Sequence, residues 1–228
     1  MNDQIVISFD LDFTLIDNTE GILNSFKYAF QSYKLKPIDD AILEKTIGEP
    51  LQEVFCRFTN IEPNLLIAAF RDYYRKKGIY QVKLYDGVIH VLSTLKENDF
   101  ILGIVTSKKR ELAVKLTKYL KIFPFFDFIQ GESETIKYKT DPLLKEFFHT
   151  PFPPQNYNYI IVGDHVTDRN LAEMLNCPFI GVLTGHQSNS TLKNGTLSYV
   201  EILSHISDLG VKIIKNVIKS SKRKKVKN

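Results

Sequence analysis

The sequence predicts an α/β protein built on a doubly wound parallel sheet, with a helical segment inserted after the first strand. Three observations carry this prediction. Largely apolar runs recur at 4–9, 100–106 and 159–163 without strict polar alternation, as expected of strands covered on both faces. Amphipathic helical patterns alternate with these runs, which is the rhythm of βαβ units. Residues 18–82 break that rhythm with helix-like stretches and no convincing strand.

The first run, QIVISF at 4–9, is rich in β-branched residues and ends abruptly at Asp10-Leu11-Asp12, so it reads as a buried strand with acids at its carboxyl end. The insert reads as helices over 20–33, 39–47, 50–59 and 63–77. A helical stretch of this size fits a separate small domain. Beyond it, helical patterns at 87–97, 109–120, 141–148 and 167–175 alternate with strands at 100–106 and 159–163 and a shorter one at 179–183. Residues 210–218 read as a final helix. The expected division is therefore 1–17 with 83–218 as the α/β core, 18–82 as the helical insert, and 219–228 as a basic, disordered tail.

Charge is unevenly spread. The chain of 228 residues has 30 basic and 26 acidic groups, a formal +4. Residues 219–228 (KSSKRKKVKN) hold six of the basic groups and no acid, leaving 24 against 26, or −2, for residues 1–218. Nucleic acid is not an expected partner of the body, because only the C-terminus offers a cationic cluster. Cys56 and Cys177 lie far apart and outside any C-x-x-C pattern, which excludes a disulfide framework or zinc site and suits a reducing, cytoplasmic setting. No run approaches the roughly 18 apolar residues of a membrane span, and the N-terminus lacks the features of a secretory signal.

In open α/β sheets, ligands bind beyond the carboxyl ends of the strands. The polar residues there are Asp10, Asp12 and Thr14 after the first strand, Thr106 and Ser107 after the second, and Asp164 and Asp168 after the 159–163 strand. Four carboxylates at one sheet edge repel unless a cation neutralises them, and an oxygen-only set favours a hard ion such as Mg²⁺. Taken singly, each has a plainer reading. Asp10 and Asp12 suit a helix cap, Thr106-Ser107 an N-cap for the 109–120 helix, and Gly163-Asp164 an ordinary strand-to-helix turn.

The order of these groups is more informative than any one of them. Asp10-Leu11-Asp12-Phe13-Thr14-Leu15 resembles the D-x-D-x-T signature of the haloacid dehalogenase-like hydrolases. Thr106-Ser107-Lys108 resembles the second motif of that family, Lys139-Thr140-Asp141-Pro142 the K-P-x-P form of the third, and Gly163 to Asp168 the fourth, G-D-x-x-x-D. The resemblance spans 5–185. The insert resembles the cap of the phosphoglycolate phosphatase, β-phosphoglucomutase and pyrophosphatase subfamily, and Asp86-Gly87-Val88 stands where those proteins commonly have Pro-Gly-Val. Phe13 replaces the usual Gly and Thr140 the usual Pro. Lys137, two residues from Lys139, leaves the register of the third motif open, with the spacing to Asp141-Pro142 favouring Lys139.

The resemblance implies an Mg²⁺-dependent phosphatase working through an aspartyl-phosphate on a small phosphate ester. It makes Asp10 the nucleophile, Asp12 the acid and base, and Thr106, Ser107 and Lys139 the phosphoryl-binding groups. Asp10, Asp164 and the Asp12 main chain would hold the metal, with Thr14 and Asp168 in support. Asp12 argues against dehalogenation, in which no leaving alkoxide needs a proton. A phosphomutase is the alternative enzyme, but the His that β-phosphoglucomutase-like members carry twelve residues after the nucleophile is here Ile22. A non-catalytic binding protein on the same fold is the remaining reading.

Overall fold

The computed structural model describes residues 4–197 and 199–225. They divide into two compact units, one reaching from the N-terminal strand to Ile16 and resuming at Leu84, the other spanning Asp17–Lys83.

The first unit is a six-stranded, all-parallel sheet. Its strands are β1 (Gln4–Phe9), β4 (Ile101–Lys109), β5 (Phe128–Glu132), β6 (Tyr157–Gly163), β7 (Phe179–Val182) and β8 (Val200–Leu203), in the order β5-β4-β1-β6-β7-β8. β1 sits between β4 and β6, with Ile7 opposite Leu102 on one side and Ile160 on the other. The apolar runs are continuous because both faces are covered: Val6, Ile7, Phe9, Leu102, Ile104, Ile160 and Val162 are all inaccessible to solvent. The covering helices are α5 (Val88–Glu97), α6 (Arg110–Tyr119), α7 (Pro142–His149), α8 (Val166–Met174), a short α9 (Asn189–Lys193) and α10 (Val211–Lys225).

Two strands of this six-stranded sheet were not expected from sequence. β5 (FIQGE) and β8 (VEIL) occupy the two edges of the sheet, where half-exposed positions admit polar residues and the apolar run is interrupted. The expected disordered tail is also corrected for residues 219–225. α10 continues through Lys225, with Ile214, Val217 and Ser221 buried on one helical face, so the start of the basic segment belongs to a packed helix. The remainder of that segment, 226–228, lies outside the described residues.

The second unit contains α1 (Thr19–Ser32), α2 (Asp40–Glu44), α3 (Leu51–Phe58) and α4 (Pro63–Lys76). Its own core is built from Phe26, Phe30, Leu43, Val54, Phe55, Leu66 and Phe70. Phe26 meets both Phe55 and Phe70 edge-on, at 5.5 and 4.8 Å between centroids. The chain crosses between the units at a two-stranded ladder, β2 (Ile16–Asp17) beside β3 (Lys83–Leu84), where Lys83 pairs with Asp17 at 3.4 Å. No described helix is long and apolar enough to cross a membrane.

Candidate active site

The strand order reverses its direction of growth at β1, so the carboxyl ends of β1, β4 and β6 frame the crevice where such sheets bind ligands. Asp10 follows β1 directly, and its amide still donates to the Val162 carbonyl of β6 at 2.8 Å. Asp164 follows the last residue of β6, and Asp168 stands in the first turn of α8. Lys139 comes from the loop before α7. Asp141 caps that helix through the Leu143 amide and also accepts from the Lys137 amide, which pins the loop that delivers Lys139.

These residues meet. The Lys139 ammonium lies 2.7 Å from Asp10 Oδ1 and 2.6 Å from Asp168 Oδ1, with all three side chains less than a tenth exposed. Lys137 instead reaches the Ser133 carbonyl at the surface, so Lys139 is the lysine brought to the carboxylates. Asp10, Asp164 and Asp168 each offer an oxygen within 4.8 Å of the others. Thr14 donates to Asp164 Oδ1 at 3.0 Å, and the His165 amide donates to Asp168 Oδ2. Asp12 is more exposed and faces Lys108 Nζ at 3.2 Å. Thr106 is buried and its hydroxyl accepts from the Lys108 amide, whereas Ser107 is exposed. β4 continues past both, and the residue capping α6 is Lys109, so neither Thr106 nor Ser107 is the helix cap.

Sequence reasoning gave no role to two contributors. Lys108 was visible only as the third residue of the second motif. Gly185 lies just beyond β7, and a Cβ there would fall 1.9 Å from Asp164 Oδ2, so only glycine lets that carboxylate lie where it does. The same holds for Gly163 against Asp168. The clue to Gly185 was its place after the 179–183 run, at the ligand-binding end of the sheet.

Phe13 carries a cost where the family motif has glycine. Its φ of 58° is in the left-handed region, which disfavours a residue with a Cβ. The conformation is held by the Phe13 amide donating to the Ile16 carbonyl, by Thr184 Oγ1 donating to the Phe13 carbonyl, and by the ring meeting His186 edge-on at 4.9 Å.

The cluster is short of positive charge. Burial pushes the Asp10 carboxyl up to about 7, with Lys139 opposing and Asp168 and Asp12 adding to the rise. Burial, then Asp10 and Asp168, hold Asp164 well above the usual carboxylate range, and burial also raises Asp168. Burial disfavours the Lys139 ammonium, but the attraction of Asp10 and Asp168 outweighs it and holds the lysine above its ordinary value. A raised acid beside a raised base means one thing: three buried carboxylates share a single ammonium. The Lys139 ammonium that faces Asp10 Oδ1 at 2.7 Å is shared with Asp168 Oδ1 at 2.6 Å. An oxygen-only set of three buried carboxylates sharing one ammonium fits a hard divalent cation.

Comparison with known proteins agrees with this geometry. The family model for haloacid dehalogenase-like hydrolases matches residues 7–182. The pyrophosphatase PpaX of Halalkalibacterium halodurans is 32% identical over 164 residues, covering 71% of this chain and 75% of that one. A protein described as a predicted phosphatase from Clostridium acetobutylicum is 32% identical in sequence, with a TM-score of 0.76 over 93% of this chain and 99% of its own. A haloacid dehalogenase-like family hydrolase from Streptococcus pneumoniae is 29% identical, with a TM-score of 0.76 over 88% and 95% of the two chains. A family match across most of the sequence, from within β1 to the end of β7, means that this chain belongs to the haloacid dehalogenase-like hydrolases and is a hydrolase of phosphate esters.

Proposed function

We propose that the protein is an Mg²⁺-dependent phosphatase that hydrolyses a small phosphorylated metabolite, of the phosphoglycolate type, through an aspartyl-phosphate on Asp10. The observation that carries this reading is the buried Asp10 at the end of β1, with the Lys139 ammonium 2.7 Å away and Asp164 and Asp168 beside it.

In this reading the Asp10 carboxylate attacks phosphorus and the leaving oxygen takes a proton from Asp12. Asp12 then accepts a proton from water as the water oxygen attacks phosphorus, releasing inorganic phosphate and restoring Asp10. Lys139 and Thr106 bind the phosphoryl oxygens, where negative charge must be stabilised, and Ser107 contributes from the same strand. Asp168 anchors Lys139, and Thr14 fixes Asp164. Mg²⁺, held by the Asp10 and Asp164 carboxylates and the Asp12 main-chain carbonyl, supplies the positive charge that the cluster lacks.

The Asp17–Lys83 unit is assigned as the cap, and its side chains as the source of substrate selectivity. Inorganic pyrophosphate is the second substrate reading, favoured by the name of the 32% identical relative. The two free cysteines suit a reducing compartment, and we place the protein in the cytoplasm.

The test is phosphate release by purified protein from a panel of small phosphate monoesters and pyrophosphate, with Mg²⁺ and with excess chelator. Turnover is expected only with Mg²⁺, and Asp10→Asn is expected to fold normally and lose turnover by about three orders of magnitude or more. Near-normal activity in that variant overturns the mechanism. A pyrophosphate rate above every monoester selects the second substrate reading.

A further inference from the structure

A second concave site lies at the opposite end of the sheet. It is a cavity of about 330 Å³ in the first unit, walled by the amino end of β6, the turn before β7, the carboxyl ends of α7 and α8, and α10. That volume is within the range of small-ligand sites, whose lower limit is ~300 Å³. β6 separates it from Asp164 by the length of seven residues, about 20 Å at the usual rise per strand residue.

Its chemistry is one-sided. Lys145, His149 and Lys222 line it, and no Asp or Glu does among the described residues. Lys145 and Lys222 are exposed, His149 is half-buried, and Tyr159 and Ser221 are buried. The His149 and Tyr159 rings lie nearly parallel, 14° apart with centroids at 6.0 Å, and Tyr157 adds a second aromatic wall. The interior is completed by apolar groups such as Leu175 and Ile218. Cations beside aromatic and apolar walls suit a ligand with a charged end and a flat ring. The basic segment that begins at Lys219 also gains a purpose here, since α10 carries Ile218, Ser221 and Lys222 into the wall.

We propose that this cavity binds a small organic anion bearing a planar aromatic group, at a site separate from the catalytic cluster. The anionic end meets Lys145 and Lys222, and the ring lies against Tyr157, His149 and Tyr159.

The experiment titrates the full chain with AMP in excess chelator, which suppresses turnover, and reads binding by calorimetry and by backbone amide NMR shifts. AMP is expected to shift the amides of residues 157–159 and 174–177. Adenosine, which lacks the charge, and inorganic phosphate, which lacks the ring, are each expected to bind at least tenfold more weakly. The variant Lys145→Glu/Lys222→Glu changes exposed residues and is expected to fold normally, weaken AMP at least tenfold, and leave Mg²⁺-dependent turnover of a small ester intact. No AMP binding, shifts confined to residues around Asp10 and Asp164, or undiminished affinity in a folded double variant each overturn the proposal. Loss of turnover in wild-type protein bears on the catalytic reading alone, so the two can fail separately.

Discussion

Asp10 gives the site a measurable pH signature. Its carboxyl is raised from an ordinary value near 3.8 to about 7, chiefly by burial. The folded protein therefore holds this proton more tightly than the unfolded chain does. The associated stability is fully present below pH 3.8 and is lost as the pH rises through about 7. Metal-free protein is expected to lose stability across that window, and Asp10→Asn to lose less of it. Urea melts of both forms in chelator at several pH values check this, and identical slopes would refute it. Phe13 poses a different contest. Glycine at that position removes a left-handed backbone cost of about 1–2 kcal/mol. It also forfeits a buried aromatic side chain, worth ~2–3 kcal/mol, and adds about 1 kcal/mol of chain entropy. The ring wins, so Phe13→Gly is expected to lower stability by roughly 1–3 kcal/mol in urea melts, despite the better φ.

Among the elements, the central strands and the long helices were legible because double coverage leaves continuous apolar runs and single coverage leaves a 3.6-residue period. β1, β4, β6 and β7 gave the first signal, and α5 to α8 the second. The edge strands β5 and β8 lacked either signal, since FIQGE and VEIL mix buried positions with half-buried or exposed ones within four or five residues. At the site, the acids were legible because each follows a buried strand. Gly185 was not, because its importance is the absence of an atom beside Asp164, and no spacing records an absence. α10 was half legible: composition marked its end as solvated, while the burial of Ile214, Val217 and Ser221 depends on partners distant in sequence. Ending the chain after Val217 removes the half-buried Ile218 and the buried Ser221. That truncation is expected to cost about 1 kcal/mol, or ~2–4 °C in a thermal melt. The kcat/KM for a small ester should be unchanged, because none of the removed residues belongs to the cluster of Asp10, Asp164 and Asp168. A large fall in kcat/KM would show that the helix end supports the site.

At the scale of the whole molecule, the two units have separate hydrophobic cores. Val6, Ile161, Phe148, Leu171 and Phe179 belong to one, and Phe26, Phe55, Leu66 and Phe70 to the other. The chain leaves and re-enters the first unit at neighbouring strands, β2 and β3, so the excised ends lie side by side. Joining Ile16 to Leu84 through a short Gly-Ser linker closes a small gap at little entropic cost. The resulting protein is expected to fold cooperatively, with the far-ultraviolet circular dichroism of an α/β domain and a single unfolding transition. A molten or insoluble product would show that the first unit depends on the second.

The place of β1 in the sheet also sets a problem of timing. The strand at the centre is the first to be synthesised, yet its partners are Ile101–Ile104 and Tyr157–Val162. At ordinary translation rates the wait from β1 to the completion of β6 is on the order of 10 s. Until β4 emerges QIVISF is a short, uncharged, β-branched segment with no strand to join, and its β6 side stays open to the end of the interval. The helices of the second unit emerge meanwhile with mostly local contacts and can fold at once. The nascent chain thus carries a finished helical body and a central strand still open on its β6 side, and Asp10 at the end of that strand gains its hydrogen bond to Val162 only when β6 arrives.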